Sequence, residues 1–258
     1  MFINSEIINS IKSNNISYYV KNHVSSTNDY LNYQYIRDQA PIVILSNNQR
    51  HPRGRRGKKW VNFQGCSLGF SLCLKFNGSL KEYLTLSHLV GISIIESCSI
   101  LGNKSLKIKW PNDIMHEDKK VCGTLIENLL IDKRSFYSMI GIGFNISIPK
   151  DLIDFIDGCP ANLKLAEKKS DLIIGTTTSV LLKNITLYEN NGFQNFQRKW
   201  NKYMYAKDKN IILNNSEKQV TGKLLGINKF GELEIEENGR IVNISDINYS
   251  MRILKLNS

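Results

Sequence analysis

The chain predicts an α+β fold in two parts, a sheet flanked by helices over residues 1–206 and a small β domain over 207–258. Three observations carry this. Strand-length runs rich in β-branched and aromatic residues recur between Pro41 and Ile148, and helix-period segments cover 83–101, 171–188 and 193–203. Beyond about residue 206 the texture changes to short strands separated by turn signals. The composition agrees: 258 residues with 41% hydrophobic and 22% charged side chains suffice for one substantial core and a small second unit.

Ile7, Ile8 and Ile11 give one short helix at the start, followed by a strand through Tyr18, Tyr19 and Val20. No DNA-reading helical segment fits ahead of the core. Ser25-Ser26-Thr27-Asn28 precedes Asp29-Tyr30-Leu31, the pattern of a helix start, and a plain cap is its simplest reading. Pro41 to Ser46 and Ser67 to Phe76 are strands, the second with Leu68, Phe70, Leu72 and Leu74 on one face. Tyr83 to Leu101 is a helix covering the sheet, with Gly102 just past its end. Leu106–Trp110, Val121–Ile131 and Phe136–Ile148 are further strands. Phe193, Phe196 and Trp200 recur at helix spacing and belong to the core. In the last fifty residues, Glu237-Asn238-Gly239 marks a hairpin turn.

Five cysteines, Cys66, Cys73, Cys98, Cys122 and Cys159, contain no Cys-x-x-Cys pair and sit in apolar or small-residue stretches, which reads as reduced thiols in a cytoplasmic protein. His23, His51, His88 and His116 lie far apart, so no transition-metal site is expected. The start lacks a basic leader and no window reaches about 18 apolar residues, so no membrane span is expected.

The segment Gln49-Arg50-His51-Pro52-Arg53-Gly54-Arg55-Arg56-Gly57-Lys58-Lys59-Trp60 holds six lysines and arginines, a proline and two glycines. Glycine and proline break regular structure and guanidinium forks match phosphate or carboxylate oxygens, so an anion is the expected ligand. With a net charge of +11, a nucleic-acid patch is the plain alternative. Lys109-Trp110-Pro111-Asn112-Asp113 sets an Asn-Asp pair behind a proline, at a sheet end. Either residue positions a metal or a substrate amine, or the pair is an ordinary turn. Lys119 and Lys120 open an apolar strand in which Gly123 admits close approach, and Gly141 and Gly143 do the same before Asn145.

In this order the residues resemble the biotin protein ligase family, the biotin–acetyl-CoA-carboxylase ligases. The resemblance runs through Ser26-Thr27-Asn28, the Arg53-Gly54-Arg55-Arg56-Gly57 loop with Trp60, Lys109 to Asp113, Lys120 with Gly123, and Gly141 to Asn145. It implies a class II synthetase-like catalytic domain, a mixed sheet with flanking helices, and an SH3-like C-terminal domain. The implied reaction has two steps: biotin and MgATP give biotinoyl-5′-AMP, and a lysine of a biotin carboxyl carrier domain of a biotin-dependent carboxylase then takes the biotin. By the same resemblance Ser26, Thr27, Asn28 and Gln49 belong to the biotin ureido end. Arg53 and Lys120 hold the carboxylate against the α-phosphate, and Gly54 and Gly123 let backbone close in on biotin. Arg55, also beside biotin, and Arg56 attend the phosphates; Trp60, Asn112 and Asn145 belong to the adenylate. Asp113 serves the incoming amine or Mg²⁺.

The chain departs from the family where Arg50-His51-Pro52 stands in place of glycine and small residues, and where Cys122 replaces a common alanine. A ligase without repressor function, and hence without DNA as partner, is expected, either monomer or homodimer. Lipoate or octanoate ligases are the nearest rival reading, and a nucleic-acid-binding protein the more distant one.

Overall fold

A computed structural model describes residues 3–33, 37–61, 66–153, 160–165 and 170–254. Cys159, one of the thiols considered above, lies outside the described residues. Helix α1 (Ser5–Lys12) is capped by Asn4, whose side chain accepts from the Ile7 amide, and buries Ile7 and Ile11. Strands β1 (Ser17–Val24) and β2 (Ile42–Gln49) pair in parallel, with the single-turn helix α2 (Thr27–Tyr30) between them in sequence. Strand β3 (Ser67–Asn77) follows the basic loop. Helix α3 (Leu86–Ile100) comes next, and β4 (Leu106–Lys109), β5 (Asp113–His116), β6 (Lys119–Asp132) and β7 (Ser135–Asn145) complete the sheet. Its order is β1-β2-β3-β7-β6-β5-β4, and every pairing except β1 with β2 is antiparallel. The mixed sheet with flanking helices is therefore as expected.

Strand alternation explains the two layers. Val43, Leu45, Leu68, Phe70 and Leu72 face the main core, where α3 and the later helices pack, while Ile42, Ile44 and Cys73 face a smaller cluster with Leu31, Tyr137 and Met139. β3 is thus buried on both faces, more than its one-sided pattern predicts. A strand missed by the sequence reading is β5. Pro111 and the Asn-Asp pair signal a turn so strongly that the short Asp113–His116 strand, which begins at that Asp, is hidden. Ser26 occupies the cap position of α2, but its side chain makes no capping bond.

The segment Leu80–Ile100 is, by length and composition, apolar enough to cross a membrane, which the sequence reading did not find; most of it is buried inside the protein. Ser93 and Ser97 donate to carbonyls one turn back, and Asn184 bonds to Ser93 and Glu96, so the helix's polar groups are met within the core. Helices α4 (Lys150–Ile153), α5 (Ile173–Asn191) and α6 (Gln194–Tyr203) follow, with Phe196 and Trp200 buried. Cys73, Cys98 and Cys122 are buried free thiols and Cys66 is half-buried; burial pushes the Cys73 and Cys98 thiols up to about 12.

Strands β8 (Asn210–Asn214), β9 (Gln219–Ile227), β10 (Leu233–Glu237), β11 (Arg240–Ile244) and β12 (Ser250–Ile253) form a second, wholly antiparallel sheet in the order β11-β10-β9-β8-β12. It fits the small SH3-like domain. The β10–β11 hairpin turns at Asn238 and Gly239, both at positive φ.

His88 of α3 joins the two parts. Its Nε2 donates to the Gly231 carbonyl at 2.8 Å, and its ring lies against Phe193 and Trp200. Burial lowers its pKa from 6.5 to about 4, with the Gly231 bond opposing. The unfolded chain therefore takes up this proton first as pH falls. The contribution of neutral His88 is fully present above pH 6.5 and is lost between 6.5 and 4, up to about 3 kcal/mol. Urea midpoints at pH 7 and 4.5 should differ clearly in wild type, and the difference should shrink in His88→Gln.

Candidate active site

The sheet carries a glycine floor. Gly69 on β3 pairs with Gly143 on β7, Gly143 with Gly123 on β6, and Gly123 with Asp113 on β5, so one row crosses four strands. Two residues along β7, Gly141 lies on the same face. A Cβ on each of these glycines would strike a site side chain: 2.6 Å from Gln49 at Gly69, 2.7 Å from Asn28 at Gly141, and 2.6 Å from the Trp60 ring at Gly143. At Gly123 it would lie 3.0 Å from both Lys120 and Trp60. The missing side chains let these groups lie directly on the sheet.

Above the floor is a cleft of about 890 Å³, and every site residue named from the sequence lines it. At one end the Gln49 side-chain oxygen accepts from the Thr27 amide (2.9 Å) and hydroxyl (3.2 Å). The Ser71 hydroxyl sits 2.6 Å from both Thr27 Oγ1 and Asn28 Oδ1. Asn28 is buried, and its two amide hydrogens go to the Leu125 carbonyl and to Glu127. Ser26, also buried, completes this neutral, hydrogen-bonding end.

The basic loop is folded on itself. The Gly54 amide donates to the Lys58 carbonyl (2.7 Å) and the Trp60 amide to the Pro52 carbonyl (3.0 Å), while Arg56 and Gly57 take positive φ. Pro52, a departure from the family pattern, thus supplies an acceptor that closes the loop. Arg53 makes a bidentate pair with Glu127 and a further ion pair with Asp29. Burial works against its charge, but the bonds and charges of Glu127 and Asp29 outweigh that and raise its pKa.

Arg55 donates to the Asn112 side chain (3.0 Å) and the Ile247 carbonyl (2.6 Å), and Arg56 to the carbonyls of Ile247 and Tyr249. These carbonyls belong to the turn before β12, so the small β domain forms one wall of the cleft. Burial, and then the charge of Arg56, lowers the Arg55 pKa; an anion here would relieve that cost.

Lys120 Nζ lies 2.6 Å from Asp113 and over the Trp60 ring. Asn145 donates to the Lys120 carbonyl at 3.1 Å, which places its amide behind the lysine backbone. The Trp60 indole N–H is buried and has no partner among the described residues. Sequence reasoning missed Asp29, Ser71, Glu127, Ile247 and Tyr249. Backbone carbonyls carry no sequence signal, and single acids in a strand or after a helix start look like surface residues.

A set of neutral donors and acceptors at one end, two lysine and arginine cations over a glycine floor, and a loop of guanidinium groups above is chemically suited to a small polar acid joined to a phosphate. Residues 20–145 match the model of the biotin/lipoate A/B protein ligase family. The bifunctional ligase/repressor BirA of Escherichia coli is 27% identical over 222 residues, covering 84% of this chain and 68% of that one. The biotin–[acetyl-CoA-carboxylase] ligase of Paracoccus denitrificans is 30% identical over 106 residues, 40% of this chain and 44% of that one. Among solved structures, the biotin protein ligase from Aquifex aeolicus in complex with biotin and ATP superposes with a TM-score of 0.76 at 26% identity. It covers 92% of this chain and 99% of that one.

Proposed function

We propose that this chain is a biotin protein ligase, whose cleft activates biotin with ATP and transfers it to a lysine of a biotin carboxyl carrier domain. The observation that carries this reading is the glycine floor, which seats Gln49, Asn28, Trp60 and Lys120 in one cleft. In the first step a biotin carboxylate oxygen attacks the α-phosphorus, forming biotinoyl-5′-AMP as the bond to pyrophosphate breaks. Two anions must meet, so the fixed charges of Arg53 and Lys120 stabilise the transition state where charge accumulates. Ser26, Thr27 and Gln49 take the neutral ureido end, whose buried polar atoms need matched partners. Arg55 and Arg56 attend the phosphates beneath the folded loop, which keeps water from the acyl adenylate.

In the second step the acceptor amine attacks the acyl carbon and AMP leaves. A lysine amine of pKa about 10.4 costs about 4.6 kcal/mol to deprotonate at pH 7. Asp113 is the carboxylate placed to orient that amine and take its proton once Lys120 turns to the phosphate. No group of three or more His, Cys, Asp or Glu side chains fit for a metal occurs among the described residues. In this reading Mg²⁺ arrives on the nucleotide phosphates, and Asp113 is the protein group that could hold it. Bound there, the ion would neutralise phosphate charge.

The division at residues 206 and 207 makes 1–206 the catalytic domain and the remainder a small domain that helps to shape the nucleotide end. A soluble, cytoplasmic placement is part of the reading, supported by buried free thiols and by the position of segment 80–100 in the core. Arg53, Arg55 and Arg56 are engaged with protein groups facing the cleft, which disfavours the nucleic-acid alternative. Thermal melting separates the ligase readings: biotin, alone or with MgATP, should raise the melting temperature, and lipoate at the same concentration should not. Stabilisation by lipoate alone would reverse the assignment.

A further inference from the structure

The two carboxylates on Arg53 are held in different ways. Glu127 on β6 meets both Nη1 and Nη2 at 2.7 Å, and its Oε2 is fixed from the other side by Asn28 Nδ2 at 2.8 Å. Asn28 is only 2% exposed and is itself bonded to Ser71, so Glu127 rests on a buried brace. Asp29, the residue directly after the Ser26-Thr27-Asn28 motif, takes a second hydrogen of Nη2, and its side chain is 40% exposed. Water can replace its partner at little cost.

Nη2 has two hydrogens, and both are taken. One guanidinium between two carboxylates also leaves a net charge of −1, which repels a further anion. A substrate carboxylate or α-phosphate that approaches Nη2 therefore does so by exchange, and the weakly held acid is the one that leaves.

We infer that Asp29 occupies the place on Arg53 Nη2 that the substrate anion takes, competing with it, while Glu127 remains as the positioning residue that aims the guanidinium. Because Asp29 sits in the same helical turn as Thr27, seating of the ureido end and release of Asp29 act on one short element. The inference rests on the biotin ligase reading and adds to it a carboxylate that weakens biotin binding.

The experiment is calorimetric binding of biotin and of neutral biotin amide to five proteins: wild type, Asp29→Asn, Glu127→Gln, Arg53→Ala and Arg53→Ala/Asp29→Asn. Asp29→Asn should bind biotin roughly 2- to 5-fold more tightly, the range of a half-exposed ion pair. Biotin amide should gain nothing. Glu127→Gln should bind biotin more weakly, opposite in sign to its neighbour on the same arginine. In the Arg53→Ala background the Asp29→Asn gain should vanish relative to Arg53→Ala alone. Unchanged or weaker biotin binding by Asp29→Asn, or an equal gain for the amide, overturns the inference. Wild-type protein that binds no biotin removes the functional reading itself, and that outcome is distinct.

Discussion

Replacing Lys120 with alanine should lower biotin-dependent pyrophosphate exchange by about 10²- to 10³-fold, the scale of losing one preorganised charge donor at a reacting anion. The lysine is positioned by three contacts that alanine cannot reproduce: the 2.6 Å pair with Asp113, the face of Trp60, and the close seat over Gly123. Its removal also leaves Asp113 without its cation, so a negative charge remains where the substrate carboxylate must approach. Arginine is not expected to rescue. A planar fork is larger than an ammonium, and the ammonium is already enclosed by Gly123, the Trp60 ring and Asp113. Because Lys120 is partly exposed, the melting temperature of Lys120→Ala should change little, which separates lost chemistry from lost folding. Exchange activity within about threefold of wild type would contradict its assigned role.

The largest stability effect should come from Gly175→Ala. This glycine lies where α5 crosses α1, and a Cβ there would fall 2.1 Å from the Ser10 carbonyl oxygen and 2.3 Å from its carbon. Both atoms are backbone, so no rotamer change relieves the clash and the helices must move apart. The Gly175 carbonyl also accepts from Asn14, and α1 is tied to the sheet by the bond from the Ile3 amide to Asn47. Separation therefore disturbs more than one contact. Overpacking a tight core costs about 1–3 kcal/mol, and a backbone clash belongs at or above the top of that range. Urea unfolding should show a loss of about 3 kcal/mol or more, whereas a change below about 0.5 kcal/mol would mean that the crossing is not as close as described.

The elements of the fold were legible wherever a periodic pattern ran for several residues. β2, β3, β6, β7 and α3 follow from alternation or helical spacing, and the change in texture after residue 206 marks the second sheet. β5 was not legible, because its four residues begin at the Asp of Pro-Asn-Asp, whose turn signal is stronger than any strand signal so short a segment gives. The order of strands and the row of Gly69, Gly143, Gly123 and Asp113 depend on pairing between distant segments, which no local pattern reports.

At the site, residue types with a chemical signature were legible: the guanidinium loop, Lys120, the Asn-Asp pair and the strand glycines. Their partners were not. Glu127 reads as one acid in a half-exposed strand, and the carbonyls of Ile247 and Tyr249 are common to every residue. The basic loop illustrates both sides. Its sequence indicated an anion, while only the fold brings Arg55 and Arg56 against the second domain and Arg53 between two acids.

The most direct test of the central claim is the intact mass of a biotin carboxyl carrier domain after incubation with the purified protein, biotin and MgATP. The expected result is a gain of one biotin on one acceptor lysine, dependent on ATP and nearly abolished in Lys120→Ala and Arg53→Ala. Wild-type protein that yields neither acceptor modification nor biotin-dependent pyrophosphate release would contradict it.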